Sequence, residues 1–157
     1  GLEPARVYSC MTRSAKTGAD LFDAATIRCT NGATIAVSGT TALPGHAHSP
    51  EPVGKVIDLR VFGTSGALLY AGDDRLPSSG RLEYRRDNGA VDVLSDTFAF
   101  ENCDDEGIGP ESLQAFVGAC AGQPAFVGSD SRIGLLTVQT VDAMYRSNIS
   151  GNAEPVR

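Results

Sequence analysis

The stretch that decides the fold is "DAATIRCTNGATIAVSGT", residues 23–40. Two runs rich in β-branched residues flank Asn31-Gly32. This dipeptide is favoured in two-residue type I′ turns, because both of its residues must then adopt positive φ. The stretch therefore predicts a β-hairpin with a tight turn at Asn31-Gly32.

Strand signals recur on both sides of this hairpin. "ARVYSCM" (5–11) predicts one strand before it. Two further hairpins are predicted after it: "VIDLRVFG" with "ALLYAG" around "GTSG" (63–66), and "RLEYRR" with "AVDVLS" around Asp87-Asn88-Gly89. Hairpin after hairpin implies a largely antiparallel sheet.

The hydrophobic period changes to that of a helix at "PESLQAFVGACAG" (110–122). Pro110 suits the first turn of a helix, and Gly122 is a typical stop. The apolar residues recur at i, i+3, i+4 and i+7, which predicts one apolar face made of Leu113, Phe116, Val117 and Cys120.

A longer helix is predicted from Ser129 or Asp130, either of which can be the N-cap, to Gly151. Residues Ala153–Val156 after it are expected to add an edge strand. The predicted buried stripe of this helix consists of Ile133, Leu136, Thr137, Thr140, Val141, Met144 and Tyr145.

Strands first and helices late is the α+β pattern, so we expect one domain over residues 1–157. Its architecture should be an open, mostly antiparallel β-sheet with helices on one face. The uncovered face of such a sheet should pack on a partner subunit or another domain, because large apolar faces are not left in water.

The composition narrows the classes of partner. The chain has 157 residues and a net charge of −6, which argues against nucleic acid as a main partner. The sequence contains no run of 18 apolar residues, so a membrane span is not predicted. The four cysteines form no C-x-x-C, so we expect reduced thiols in a reducing, cytoplasmic compartment.

Motifs that carry chemistry are scarce in this sequence. Gly107-Ile108-Gly109 precedes a helix, but the third small residue is Ser112 and no parallel strand unit surrounds it, so a dinucleotide site is not expected there. His46-Ala47-His48 could aim two imidazoles at one ligand, since residues i and i+2 of an extended stretch point the same way. A third metal ligand is not evident beside them, and a plain polar loop explains the pair equally well.

Lys55 lies where this loop re-enters a strand, either as a side chain facing a site or as a solvated edge charge. The sequence offers no convincing acid, base, nucleophile or metal site. We therefore do not expect this chain to catalyse a reaction alone.

Four stretches in order resemble the C-terminal domain of the glucose–fructose oxidoreductase / inositol dehydrogenase (Gfo/Idh/MocA) family. They are "DAATIRCTNGATIAVSGT" (23–40), "IDLRVFGTSGALLY" (57–70), "SLQAFVGACAGQP" (112–124) and "GLLTVQTVDAMYRSNISGNAEPV" (134–156). In that family the last stretch is the closing helix, which ends near a Ser-x-x-Ser-Gly and a final strand.

The resemblance implies a longer enzyme whose N-terminal Rossmann domain, absent from this chain, binds NAD or NADP. The family's catalytic residues lie upstream of the matched region, so no catalytic or cofactor-binding residue can be placed here, and this fragment alone should be inactive. A chain that begins at Gly1 rather than Met fits that expectation.

The resemblance also implies a homo-oligomer packed through the open sheet face. It maps the family's substrate-contacting loop to roughly His46–Lys55, where His46, His48 and Lys55 would suit a hydroxylated ligand such as a sugar or cyclitol. Two other functions stay open: a stand-alone carbohydrate- or protein-binding module with the same fold, and a small β-rich enzyme that uses His46 and His48.

Overall fold

The computed structural model describes residues 1–42, 56–73, 80–97, 111–124 and 129–157. The predicted α+β class is confirmed. The elements in chain order are β1 (Pro4–Arg13), β2 (Asp20–Cys29), β3 (Thr34–Thr40), β4 (Val56–Gly63), β5 (Gly66–Asp73), β6 (Arg81–Arg86), β7 (Val91–Ser95), α1 (Glu111–Cys120), α2 (Ser131–Ser150) and β8 (Glu154–Pro155).

The described strands pair in two four-stranded sheets, whereas the sequence predicted one. The first sheet has the order β3-β2-β1-β8 and the second the order β4-β5-β6-β7. Every pairing in both sheets is antiparallel, as predicted. The chain correspondingly divides into two compact units, one containing the first sheet with α2 and the other containing the second sheet with α1.

The hairpin turn at Asn31-Gly32 exists, but it is not the predicted two-residue type I′ turn. The Gly32 N–H donates to the Cys29 carbonyl at 3.1 Å, and the Cys29 N–H donates to the Ala33 carbonyl at 2.8 Å. The loop therefore spans three residues, 30–32, and positive φ is needed at Gly32, where it is 86°. The Asn31 carboxamide accepts the Ala33 N–H at 3.1 Å and so supports the turn locally.

The hairpin between β6 and β7 repeats this turn. Gly89 has a φ of 84° and donates to the Arg86 carbonyl at 3.1 Å. The Asn88 carboxamide accepts the Ala90 N–H at 3.0 Å. Each turn has the sequence Asn-Gly-Ala, so the same local chemistry closes one hairpin in each unit.

The core of the first unit lies where α2 packs across β1 and β2. Its buried apolar side chains are Val7, Ala25, Ile27, Ala143 and Met144, with Met11, Ile35 and Val156 partly buried against them. The packing is close enough for the Ser9 hydroxyl to donate to the Met144 carbonyl at 2.5 Å. This helix-on-sheet contact fixes the position of the C-terminal half of α2.

Side chains of α2 complete the open edge of β1. The short strand β8 pairs with β1 only at Arg6 and Val7. Beyond that point the Ser9 N–H donates to Ser147 Oγ at 3.0 Å, and the Met11 N–H donates to Asn148 Oδ1 at 2.8 Å. Two helix side chains thus supply the acceptors that a longer neighbouring strand would have supplied.

Both ends of α2 match the predicted signals. Asp130 is the N-cap, and its carboxylate accepts the Ile133 N–H at 2.9 Å. Gly151 ends the helix in the left-handed conformation, with a φ of 68°. The chain then reverses into β8, which confirms the predicted edge strand.

The predicted buried stripe of α2 is only partly right. Thr140 and Met144 are buried, whereas Ile133 and Val141 are exposed. The helix contacts β1 and β8 mainly through its C-terminal half, so the face centred on Ala143 and Ser147 is covered instead.

The apolar face predicted for α1 forms, but it is not covered within the described residues. Leu113 and Phe116 are each 66% exposed, and Val117 is 57% exposed. Hydrophobic periodicity identified the helix correctly, but it could not identify what covers the helix.

Two predictions from the composition concern membrane-spanning helices and the cysteines. The described helices include none long and apolar enough to cross a membrane. Cys10, Cys29 and Cys120 are free thiols, and Cys103 lies outside the described residues.

The Ser147→Ala substitution tests the edge contact. The Ser147 hydroxyl is buried, accepts from the Ser9 N–H and donates to the Asn152 carbonyl at 2.7 Å. Its loss leaves a buried N–H without a partner, so we expect the free energy of unfolding to fall by about 1–3 kcal/mol. Chemical denaturation measures the change.

The control is Thr137→Ala, which removes an exposed hydroxyl from the same helix that bonds only within it, to the Ile133 carbonyl. We expect this control to stay within about 0.5 kcal/mol of the unmodified protein. Equal effects of the two substitutions would contradict the role given to Ser147.

Candidate functional site

The three predicted substrate contacts, His46, His48 and Lys55, lie outside the described residues. The chain segment that carries them ends immediately before β4, whose first residue is Val56. The polar groups that the structure does describe on β4 and its neighbours are therefore the place to look for a site.

The register of the second sheet brings five charged side chains onto one face. Leu69 of β5 stands between Arg60 of β4 and Glu83 of β6, and Ala71 stands between Asp58 and Arg81. Alternate residues of a strand share a face, so Arg85 joins Arg81 and Glu83 on the same side. We call the set Asp58, Arg60, Arg81, Glu83 and Arg85 the charged face.

The charged face is organised as two groups of ion pairs. Arg60 binds Asp58 through two atoms, Nε at 3.0 Å and Nη2 at 2.8 Å. Glu83 accepts from Arg81 Nε at 2.6 Å on one oxygen, and from Arg85 Nε and Nη2 at 3.0 and 2.9 Å on the other. The Glu83 side chain is only 13% exposed, so the two arginines cover the carboxylate that they bind.

These groups line a shallow, open cavity of about 360 Å³. Leu69, Tyr70 and Ala71 of the central strand β5 contribute the rest of its lining. The middle of the cavity consists of small and apolar residues, and charged groups line it on the two neighbouring strands. The cavity therefore has an apolar floor and a polar wall.

The ion pairs fix the charge state of the face. Hydrogen bonds from Arg85, and then from Arg81, hold the pKa of Glu83 below its ordinary value. The hydrogen bond from Arg60 likewise lowers the pKa of Asp58, and Asp58 in turn raises the pKa of Arg60. The two carboxylates are therefore ionised at neutral pH. Together with three guanidinium groups, which stay protonated in proteins, they give the face three positive and two negative charges.

This chemistry suits binding better than catalysis. A carboxylate with a lowered pKa is a weak base and an unavailable acid near neutral pH. Guanidinium groups instead present fixed N–H donors to carboxylates, phosphates or hydroxyls. Within the described ranges, no three His, Cys, Asp or Glu side chains are grouped to hold a metal ion.

Apolar side chains extend the charged face toward the sheet edges. Phe62 is 75% exposed, and Val91 and Val93 stand across β6 from the central strand. Phe62 lies in one cross-strand row with Ala67, Arg85 and Val91. The face thus combines ion pairs with exposed apolar area.

A second polar group lies in the first unit, where β1 and β2 meet α2. The Tyr145 hydroxyl donates to Asp20, Arg13 Nε lies 3.2 Å from the same carboxylate, and the Arg13 guanidinium is 4.8 Å from the Tyr145 ring centre. The hydrogen bond to Asp20 raises the pKa of Tyr145. These contacts join α2 to the hairpin, so we interpret the group as structural.

The charged face was not anticipated from the sequence. Arg85 and Arg86 both belong to β6, on opposite faces of the strand. Arg86 pairs with Asp92 at 2.6 Å instead. The alternation of residues in "RLEYRR" could have indicated the charged face, because it places Arg81, Glu83 and Arg85 on one side of a strand. The alternation in "IDLRVF" likewise places Asp58 and Arg60 on one side of theirs.

Comparison with known proteins gives matches only at the level of structure. No protein-family model and no curated protein matches the sequence. Aldose-aldose oxidoreductase from Caulobacter crescentus, solved with glycerol, matches 99% of this chain with a TM-score of 0.65 and 14% identity, over 42% of its own length.

Two further solved structures agree with that match. An oxidoreductase from Agrobacterium radiobacter, in complex with NAD+, L-tartaric acid and magnesium, matches 98% of this chain with a TM-score of 0.63 and 21% identity, over 44% of its length. The WlbA dehydrogenase from Bordetella pertussis, in complex with NADH and UDP-GlcNAcA, matches 99% with a TM-score of 0.60 and 20% identity, over 40% of its length.

The chain has the fold of one domain of these oxidoreductases. It spans less than half the length of the three proteins. The likeness confirms the α+β fold that the sequence predicted. The Ser-x-x-Ser-Gly at the end of α2 consists of Ser147, Ser150 and Gly151. Ser147 caps the edge of β1, Ser150 donates to Glu154, and Gly151 reverses the chain.

The charge state of the domain's charged face is tested by Glu83→Gln. Because the folded-state pKa of Glu83 is lowered, its ion pairs stabilise the fold above the ordinary pKa of 4.5, and this contribution disappears as the pH falls through the folded-state value. We therefore expect Glu83→Gln to lower the free energy of unfolding at pH 7 and to have a much smaller effect at pH 3.

Denaturant titrations at the two pH values measure this difference. Asp87→Asn, which removes one negative charge from the exposed β6–β7 turn, is the control and should show a smaller pH-dependent difference. An effect of Glu83→Gln that is the same at pH 7 and pH 3 would contradict the ionised state assigned to Glu83.

Proposed function

We propose that this chain is the C-terminal substrate-binding and oligomerisation domain of a cytoplasmic NAD(P)-dependent oxidoreductase that acts on a sugar, cyclitol or similar polyol by hydride transfer. The observation that carries the proposal is the structural match itself. It extends over 98–99% of this chain and over only 40–44% of the three oxidoreductases.

NAD or NADP would be bound by a Rossmann domain outside this chain, which would be the first partner of this domain. Two of the matched proteins were solved with NAD+ or NADH. The sequence has no dinucleotide fingerprint of its own, and the five residues of the charged face are already engaged in ion pairs with one another. The role left to this chain is to bind and orient the substrate.

His46, His48 and Lys55 are the proposed substrate contacts. Imidazole and ammonium groups donate hydrogen bonds to hydroxyl and carboxylate oxygens. The matched proteins were solved with glycerol, L-tartaric acid and UDP-GlcNAcA, which are all hydroxylated molecules. These bound molecules support a hydroxylated substrate for the present protein.

We also propose that copies of the protein associate through the charged face and its apolar border. In a two-fold contact the same surface meets itself, so it must offer both signs of charge. The charged face offers Arg81 and Arg85 beside Glu83, and exposed Phe62 and Val91 add apolar area. A surface of this composition is compatible with contact to a second copy.

The substrate proposal is tested in the full-length gene product by replacing His46, His48 and Lys55 together with alanine. We expect the unmodified protein to reduce NAD or NADP with at least one member of a panel of aldoses, cyclitols and sugar acids. The triple variant should have a KM for that substrate at least tenfold higher, with an unchanged KM for the nucleotide.

The possible failures can be told apart. No turnover and no nucleotide binding by the unmodified protein would remove the oxidoreductase proposal and favour a stand-alone binding module. Turnover with an unchanged substrate KM in the triple variant would remove only the three substrate contacts.

The association proposal is tested by Phe62→Asp in the full-length protein, with light scattering at several concentrations. A charge at this exposed apolar position should shift the population toward monomers. Val61→Asp is the matched control, because the neighbouring residue lies on the opposite face of β4; we expect it to keep the oligomeric state. Circular dichroism confirms that both variants are folded, and an unchanged mass for Phe62→Asp would contradict the proposed interface.

A further inference from the structure

Two turns of the chain have the same three residues, Asn-Gly-Ala, and the same hydrogen bonds. In both, the glycine N–H donates at 3.1 Å to the carbonyl three residues earlier, that of Cys29 or of Arg86. In both, the carboxamide of the asparagine, Asn31 or Asn88, accepts the N–H of the alanine. The protein therefore contains one local structure twice, in two different surroundings.

An asparagine that precedes a glycine can modify itself without an enzyme. The backbone nitrogen of the glycine bonds to the carboxamide carbon of the asparagine, the bond from that carbon to the side-chain nitrogen breaks, and ammonia leaves with the proton of the attacking nitrogen. Water then opens the cyclic imide to aspartate or isoaspartate, so one ammonia is lost, one water is added and no electrons are exchanged. Glycine allows the ring to close most easily because it has no Cβ to restrict the backbone.

The first turn is anchored to the rest of its unit. The Thr30 N–H donates to the Glu3 carbonyl at 2.9 Å, and Cys29 is only 3% exposed. Glu3 also pairs with Arg132 of α2. Before its nitrogen can reach the carboxamide carbon, Gly32 must release the Cys29 carbonyl. The anchored neighbours oppose this local opening.

The second turn has no comparable anchor among the described residues. Its backbone hydrogen bonds join Arg86 to Gly89 and Ala90, within the turn itself, and residues 85–90 are all exposed. The Arg86 side chain pairs with Asp92 of the same hairpin. The turn leads into β7, a five-residue strand at the edge of the second sheet. Local opening costs least where few buried contacts must break, so this turn opens more readily than the first.

We propose that Asn88 is a site of spontaneous modification to aspartate and isoaspartate, and that its anchored turn protects Asn31. The modification adds a carboxylate next to Asp87 in the chain. Isoaspartate also adds one carbon atom to the backbone of the loop, which alters the connection between β6 and β7. The second sheet therefore changes at one edge as the protein ages, whereas the hairpin of the first sheet does not.

Incubation of the full-length protein in mildly alkaline buffer tests the proposal. Mass spectrometry of peptides taken at successive times measures the conversion at each asparagine, and chromatography separates the isoaspartyl forms. We expect Asn88 to react at least fivefold faster than Asn31 in the folded protein. In denaturant the two should react at similar rates, because both are followed by Gly-Ala and neither turn persists.

Asn148 is the internal reference, because the β-branched Ile149 follows it and its carboxamide accepts the Met11 N–H. Asn88→Gln is the matched variant, since the longer side chain must close a larger ring, and we expect no conversion at position 88. Equal rates at Asn31 and Asn88 in the folded protein would overturn the proposal. A rate at Asn88 no higher than that at Asn148 would also overturn it.

Discussion

The arrangement of the first unit depends on which groups accept hydrogen bonds from the N–H groups at the open edge of β1. The paired strand β8 is two residues long and leaves the N–H groups of Ser9 and Met11 unpaired by any strand. Ser147 and Asn148 accept them, and this requires α2 to lie directly along the edge of the sheet. Because a buried N–H without a partner costs about 1–3 kcal/mol, these two contacts restrict where the helix can lie and bring Ala143 and Met144 onto the core.

The same constraint exposes the rest of α2. A helix held by side chains near its C-terminal end buries one face there and leaves Leu135 and Val138 turned away from the sheet. The second unit is built differently. Its strands are linked into hairpins, and charged side chains from β4 and β6 pair on one face, with Glu83 beneath two arginines.

Local chemistry made much of the fold predictable. Asn-Gly pairs located two hairpins, and Asp130 and Gly151 located the ends of α2, because turns and caps depend on a few neighbouring residues. The prediction of a type I′ turn was wrong because an Asn-Gly pair also suits a three-residue loop that needs positive φ only at glycine. The predicted burial along α2 was partly wrong because hydrophobic periodicity shows that a helix face is apolar but not where the sheet that covers it ends. The charged face was missed because it forms only when the register aligns β4 with β6, which no single stretch encodes. The predicted site at His46, His48 and Lys55 stays a prediction.

Under the proposed function, the charged groups of the described residues indicate how this domain would support hydride transfer. A hydride acceptor or donor is a nicotinamide ring, and the protein's part is to place the substrate carbon against it and exclude water. Placement requires rigid supports and many donors rather than a base of unusual pKa. The second sheet has this character, since hydrogen bonds hold Arg60, Arg81 and Arg85 in fixed positions and its carboxylates stay ionised. His46, His48 and Lys55 precede the first strand of this sheet, which begins at Val56. Under the proposed function, different residues in the segment before β4 would let the same sheet accept different hydroxylated substrates.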